Sequence, residues 1–226
     1  MMKKLYILLA VITLLSVAAA AVCIVIMPAR VPVHYNASGE VDRIGSKYFF
    51  ALFPAIVAVN GIAISAAAKQ ERKKGGNSNE KTLLITGVLT GILFTGLGIF
   101  FMALGIKDNG GSSAAISPGD TNKFIGIGIG VMFAVLGNIM PKVRRNSAIG
   151  VRTKWSVAND SVWQKTQRYG GRVMVAAGLA AIILSLFVPG IYNTFMLIGI
   201  IMVSIILCTV KSRRYYIEET EKSKEK

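Results

Sequence analysis

The stretch VMVAAGLAAIILSLFVPGIYNTFMLIGIIMVSIILCTV, residues 173–210, contains no Asp, Glu, Lys, Arg or His. A helix that crosses a bilayer needs roughly 20 apolar residues, and this run holds enough for two. Val188-Pro189-Gly190-Ile191 in its middle reads as a tight turn, because proline and glycine break a helix and reverse the chain. Two antiparallel membrane helices joined as a hairpin are the expectation. The same pattern recurs towards the amino terminus: Leu5 to Met27, Tyr48 to Ala68, Leu83 to Ile106 and Phe124 to Met140 are apolar runs of comparable length.

With Val173 to Val188 and Ile191 to Val210 that makes six spans, and an all-α, polytopic integral membrane protein. The composition agrees. Hydrophobic residues make up 53% of the 226 and charged residues 16%, against about 25% charge in a soluble domain. Mean hydropathy is +0.56. A disordered chain, a collagen-like chain and a disulfide scaffold are all excluded. The first run has a basic start at Lys3 and Lys4 and small residues from Ala18 to Ala21, as a signal peptide would. It continues through Cys23 to Met27, too long for a signal core, and Val22 stands where a lipoprotein has a small residue. A retained first helix is expected.

The charge settles an orientation. The net charge is +15, from 26 basic and 11 acidic residues. The basic residues alternate along the chain: two at the start, five in 69–82, eight in 141–172 and six in the tail, against three in 28–47, two in 107–123 and none at 189–190. That is 21 on one side and 5 on the other. Lys and Arg accumulate in cytoplasmic loops, so both termini are expected in the cytoplasm and the membrane is expected to be the plasma membrane. Direct nucleic-acid binding is not expected, because no basic stripe interleaved with aromatics lies outside the apolar runs.

None of the six runs carries an ionisable residue of the Asp, Glu, Lys, Arg or His type. Ion-coupled transporters generally need such groups inside the membrane. Asn60 and Asn138 are the strongest polar candidates, and interhelical hydrogen bonding is their plain role. Gly87, Gly91 and Thr95 recur every four residues, as do Gly126, Gly130 and Ala134. Such small faces let helix backbones approach closely. Gly126 to Gly130 lacks the strand and turn of a nucleotide loop. Pro54 should kink the second span. Cys23 and Cys208 fall near opposite ends of their helices, about 20 Å apart in depth, too far for a disulfide.

The chain therefore divides into an amino-terminal membrane module (1–68), a cytoplasmic linker (69–82), a central pair of spans (83–140), a cytoplasmic loop (141–172), a carboxy-terminal hairpin (173–210) and a charged tail (211–226). Two polar loops carry the specific information. In the outer loop, Pro28 and Pro32 favour extended chain, and Asn36 to Gly39 reads as a turn. The chain's single His, His34, lies there with Glu40 and Asp42. One His without Cys is a weak metal signal, so a hydrogen-bonded loop without metal or cofactor is expected. In the inner loop, Asn159 or Asp160 can cap a short helix and Gly170 can end it. Trp155, Trp163, Arg152 and Lys165 suit a segment lying along the inner interface, or a surface on which a soluble partner docks.

At these residues the chain resembles the SdpI-type immunity proteins. The outer stretch is similar to the family's amino-terminal module of unknown function through Met27-Pro28, Pro32 to Asn36, Gly39 to Asp42 and Ser46-Lys47. The inner stretch is similar to its carboxy-terminal module through Asn146, Gly150, Arg152, Thr153, Trp155 and Trp163. Val41 stands where the family commonly has Pro, Arg43-Ile44 where it has Gly-Trp, and Lys154 where it has Pro. The resemblance implies a non-enzymatic membrane protein that protects its cell against a secreted peptide toxin and, by analogy with one branch, holds a small DNA-binding repressor at the membrane. It implies outer recognition by Pro32, His34, Asn36, Gly39, Glu40, Asp42 and Lys47, and inner docking by Asn146, Gly150, Arg152, Thr153, Trp155 and Trp163. The alternatives are a transporter or permease subunit using Asn60 and Asn138, and a membrane enzyme using His34 with Glu40 or Asp42.

The charge asymmetry yields a direct test. Single cysteines at Ser38 and Ser113 should react with an impermeant thiol reagent in intact cells. Cysteines at Ser78 and Ser161 should react only after permeabilisation. The opposite labelling pattern would reverse the orientation.

Overall fold

The computed structural model describes residues 2–38, 40–73, 79–107, 118–146 and 149–224, with backbone only at 107 and 118–120. Six helices run in chain order: α1 (Met2–Ile26), α2 (Leu52–Arg72), α3 (Glu80–Lys107), α4 (Pro118–Ile139), α5 (Asp160–Phe187) and α6 (Gly190–Lys224). Each is long and apolar enough to cross a membrane, and the protein is an all-α, multi-pass membrane protein. The outer loop adds one feature beyond the extended chain and turn expected of it. Strands β1 (Arg30–Tyr35) and β2 (Val41–Ser46) pair antiparallel into a hairpin.

Every helix except α2 is longer than its apolar run. α5 shows why. Asn159 caps it, its side chain accepting from the Val162 N–H, as expected. The helix then does not stop at Gly170 but continues to Phe187. Gly170 and Gly171 are needed mid-helix because other chain crosses there. A Cβ on Gly170 would lie 2.8 Å from Val151, and one on Gly171 2.6 Å from the Gly137 carbonyl oxygen. The short interfacial helix expected over 159–170 is therefore the first part of a span. The second span begins as a 3₁₀ turn over Lys47–Ala51 and becomes α-helical at Leu52, so Pro54 stands two residues after this change of winding, within a helical stretch that runs from Lys47 to Arg72.

The helices pack as two groups. α3 lies against α1 and α2, and α4 lies chiefly against α5, with α6 against both. The small-residue faces make these contacts. Gly87 of α3 meets Ile64 of α2, and Gly91 meets Ile12 of α1. The α4–α5 crossing is tighter. A Cβ on Gly178 would lie 2.5 Å from the Gly130 carbonyl oxygen, and a Cβ on Gly137 2.8 Å from that of Gly171. Asn60 bridges α2 and α3: its Nδ2 donates to the Gly87 carbonyl (3.2 Å) and its Oδ1 accepts from Thr90 (3.2 Å). Asn138 is exposed on α4. Cys23 and Cys208 are free.

A methyl at the α4–α5 crossing has no room, so Gly178→Ala should destabilise the protein by about 1–3 kcal/mol. Gly199 of α6 has nothing within 4 Å of its would-be Cβ, so Gly199→Ala should be silent. Thermal unfolding of the detergent-solubilised variants measures both; equal behaviour would deny the backbone contact.

Candidate functional sites: an outer hairpin and an inner loop

The hairpin is fastened at its base and at its tip. At the base, Val31 is fully buried among Ala20, Met27, Phe50 and Met102, and the Lys47 ammonium donates to the Met27 carbonyl (3.2 Å). Pro32 is buried opposite Ile44. Tyr35 meets Phe101 with ring centroids 6.0 Å apart, and Phe101 stacks on Phe53. At the tip, the Ala37 carbonyl oxygen accepts from Asn122 Nδ2 (3.1 Å) and from the Thr194 hydroxyl (2.9 Å). The same Asn122 amide donates to the Gly190 carbonyl (2.9 Å). Gly190 opens α6 at φ +52°, a left-handed conformation that glycine adopts without strain. The tip of a loop from the first group is thus held by the second group.

Between base and tip the polar side chains satisfy one another. His34 Nδ1 lies 2.6 Å from Asp42 Oδ1. Asn36 Nδ2 donates to Glu40 Oε2 (2.9 Å), while its Oδ1 accepts from the N–H groups of Ser38 and Glu40. This is the hydrogen-bonded loop expected from the sequence. His34, Glu40 and Asp42 are exposed, Asn36 is half-buried, and Pro32 and Lys47 serve the base. Gly39 lies outside the described residues.

The inner loop is built around buried amides. The Asn79 side chain pairs with the backbone of Arg144 in both directions, Nδ2 donating to its carbonyl (3.1 Å) and Oδ1 accepting from its N–H (2.9 Å). Gln167, fully buried in α5, does the same for Val151: Oε1 accepts from its N–H (2.9 Å) and Nε2 donates to its carbonyl (3.0 Å). Gly150 stands beside it at φ +113°, with Gln167 2.8 Å from a would-be Cβ. Both the backbone angle and the space demand glycine there. Asn146 closes the turn, accepting from the Ile149 N–H (2.8 Å) and donating to the Arg144 carbonyl (2.7 Å). Thr153 contacts the Ser212 hydroxyl at 2.6 Å and trades hydrogen bonds with Ser156.

Trp163 is not an interfacial anchor. It is fully buried, and its indole N–H donates to the Val143 carbonyl (2.8 Å). Lys165 is likewise engaged, its ammonium 2.6 Å from Glu219. Hydrogen bonds from Lys165 and then Ser161 hold the Glu219 carboxyl, beyond the apolar part of α6, below the usual carboxylate range. The residues that remain presented are Arg152, exposed and without an ion pair among the described residues, and Trp155, half-buried with the Lys154 ammonium 5.0 Å from its ring centre. Sequence reasoning missed Asn79, Asn122, Gln167, Thr194 and Ser212. A lone amide or hydroxyl bordering an apolar run was the available signal.

Comparison with known proteins agrees with this two-site division. Residues 142–212 match the SdpI/YfhL protein family, and residues 11–58 match a domain of unknown function, DUF1648. Over 92 residues the chain is 32% identical to the immunity protein SdpI of Bacillus subtilis (strain 168), a match covering 41% of this chain and 44% of that protein. No solved structure matches. Both matched stretches are similar to SdpI-type proteins, and the match over 142–212 takes in most of the inner loop, α5 and the first part of α6.

The two tryptophans should separate. Trp163→Phe strands the Val143 carbonyl and should cost about 1–3 kcal/mol. Trp155→Phe should stay within about 0.5 kcal/mol. Thermal unfolding decides; similar losses at both positions would make Trp155 part of the buried framework.

Proposed function

We propose that this chain acts as an SdpI-type protein: that it confers immunity against a secreted peptide toxin, meeting it at the hairpin, and holds a small DNA-binding repressor at the inner loop. The two termini and the inner loop lie in the cytoplasm of a plasma-membrane protein. The observation that carries the reading is the braced hairpin. Exposed His34, Glu40 and Asp42 stand on a frame anchored at both ends, so they present a fixed pattern of charge and hydrogen-bonding groups without losing order when a partner arrives. The relative being named an immunity protein supports it.

At the inner face, Arg152 and Trp155 are the presented members of a loop whose other residues are occupied in building it. Arg and Trp are the types that most often dominate binding hot spots, at about 2 kcal/mol or more each. Asn146, Gly150, Thr153 and Trp163 hold that surface in place.

The test measures survival, membrane abundance and partner localisation together, in sensitive cells exposed to spent medium from a toxin producer. Expression of the chain should raise survival. His34→Ala with Asp42→Ala should abolish that gain at unchanged abundance. Arg152→Ala with Trp155→Ala should release the cytoplasmic partner and leave survival partly intact. A fall in all three that tracks abundance would reduce both loops to scaffolding.

A further inference from the structure

α1 and α2 each pack more closely on α3 than on one another. Between them a groove of about 610 Å³ opens on the outside of the protein. Leu9 forms its floor, and the exposed Leu14 and Ile62 form its rims. Thr13 and Gly61 close it where the helices approach, with a would-be Gly61 Cβ 3.3 Å from the Thr13 hydroxyl. That hydroxyl donates to the Leu9 carbonyl (2.9 Å), so it offers no proton to an occupant. From Ala58 to Lys69 the α2 wall measures about 16 Å at 1.5 Å per residue. That is about half of a 30 Å hydrocarbon core, the depth of one leaflet.

The groove ends in positive charge. Lys69 lines its mouth, and Arg72, one turn on, is exposed on the same helix. Lys3 and Lys4 are exposed at the adjoining end of α1. None of the four makes an ion pair among the described residues. Two acidic groups lie nearby: Glu71 accepts from the Asn79 N–H, and Glu80 accepts from the hydroxyl of Tyr6, which itself lines the groove. In a bilayer an apolar groove open to the hydrocarbon is filled by hydrocarbon, because an empty one forfeits dispersion contacts along its walls. A cationic mouth at headgroup depth selects which lipid supplies it.

We propose that this groove binds an anionic phospholipid, with one acyl chain between α1 and α2 and its phosphate at Lys69 and Arg72. The inference is independent of the immunity reading, since neither loop takes part.

The full-length chain, purified in detergent and offered phosphatidylglycerol and phosphatidylcholine together, should retain the anionic lipid with about tenfold preference or more in native mass spectrometry, on the scale of two basic side chains near a charged headgroup. Lys69→Gln with Arg72→Gln should erase the preference at unchanged thermal stability, and Lys69→Arg should keep it. Ala66→Phe, which fills the groove from its exposed wall, should reduce retention of both lipids. Equal retention by the unaltered protein would overturn the proposal, as would a preference surviving the double substitution or adducts indifferent to Ala66→Phe. A dimer that Ala66→Phe dissolves would also overturn it, by giving the groove to a second copy.

Discussion

The backbone contact of α4 with α5 is the constraint from which the second half of the molecule is built. Gly130 meets Gly178 and Gly137 meets Gly171 at distances that leave no room for a methyl. Within hydrocarbon there is no hydrophobic force to draw helices together, so close packing must do it. The contact fixes α5 along its length, and with it Trp163 and Gln167. These in turn fix residues 143–151, through hydrogen bonds to Val143 and Val151. The inner loop is therefore shaped by the helix crossing beside it, against which Pro141 packs at Gly171.

The same logic explains why so many polar groups are buried in a chain this apolar. Asn79, Gln167, Asn193 and Ser212 are almost wholly enclosed. Each addresses a group that would otherwise be stranded away from water. Asn193 is an example: it donates to the Val188 carbonyl (3.1 Å) at the α5–α6 turn and accepts from Ser185 (3.2 Å). A would-be Cβ on Gly126 of α4 would run into that Ser185, so the turn is also closed by a glycine face.

Much of this was legible in the sequence. Six apolar runs without a charge among them read directly as six helices, and the four-residue spacing of Gly87, Gly91, Gly126 and Gly130 read as packing faces. The outer loop's internal bonds followed from Asn36 and the carboxylates placed after it. Helix length was not legible, because hydropathy marks only where a helix meets hydrocarbon, and α5 and α6 run on into polar sequence. Nor was the burial of Trp163. An indole beside Lys165 reads equally as an interfacial anchor, and only the arrival of Val143, twenty residues earlier in the chain, encloses it. Long-range pairs such as Asn79 with Arg144, or Thr194 with Ala37, leave no local pattern at all.

The attachment of the hairpin tip has a consequence for how this surface can change. Asn122 and Thr194 both address the main-chain oxygen of residue 37, and every residue has one. The grip is therefore blind to side-chain identity at that position. Substitutions at the tip can alter charge, size and hydrogen-bonding character without loosening the mount, provided the backbone keeps its course. Such a part is interchangeable. New specificities can be tried on an unchanged fixture, and the helices that carry the two donors need not mutate in step with the face they support.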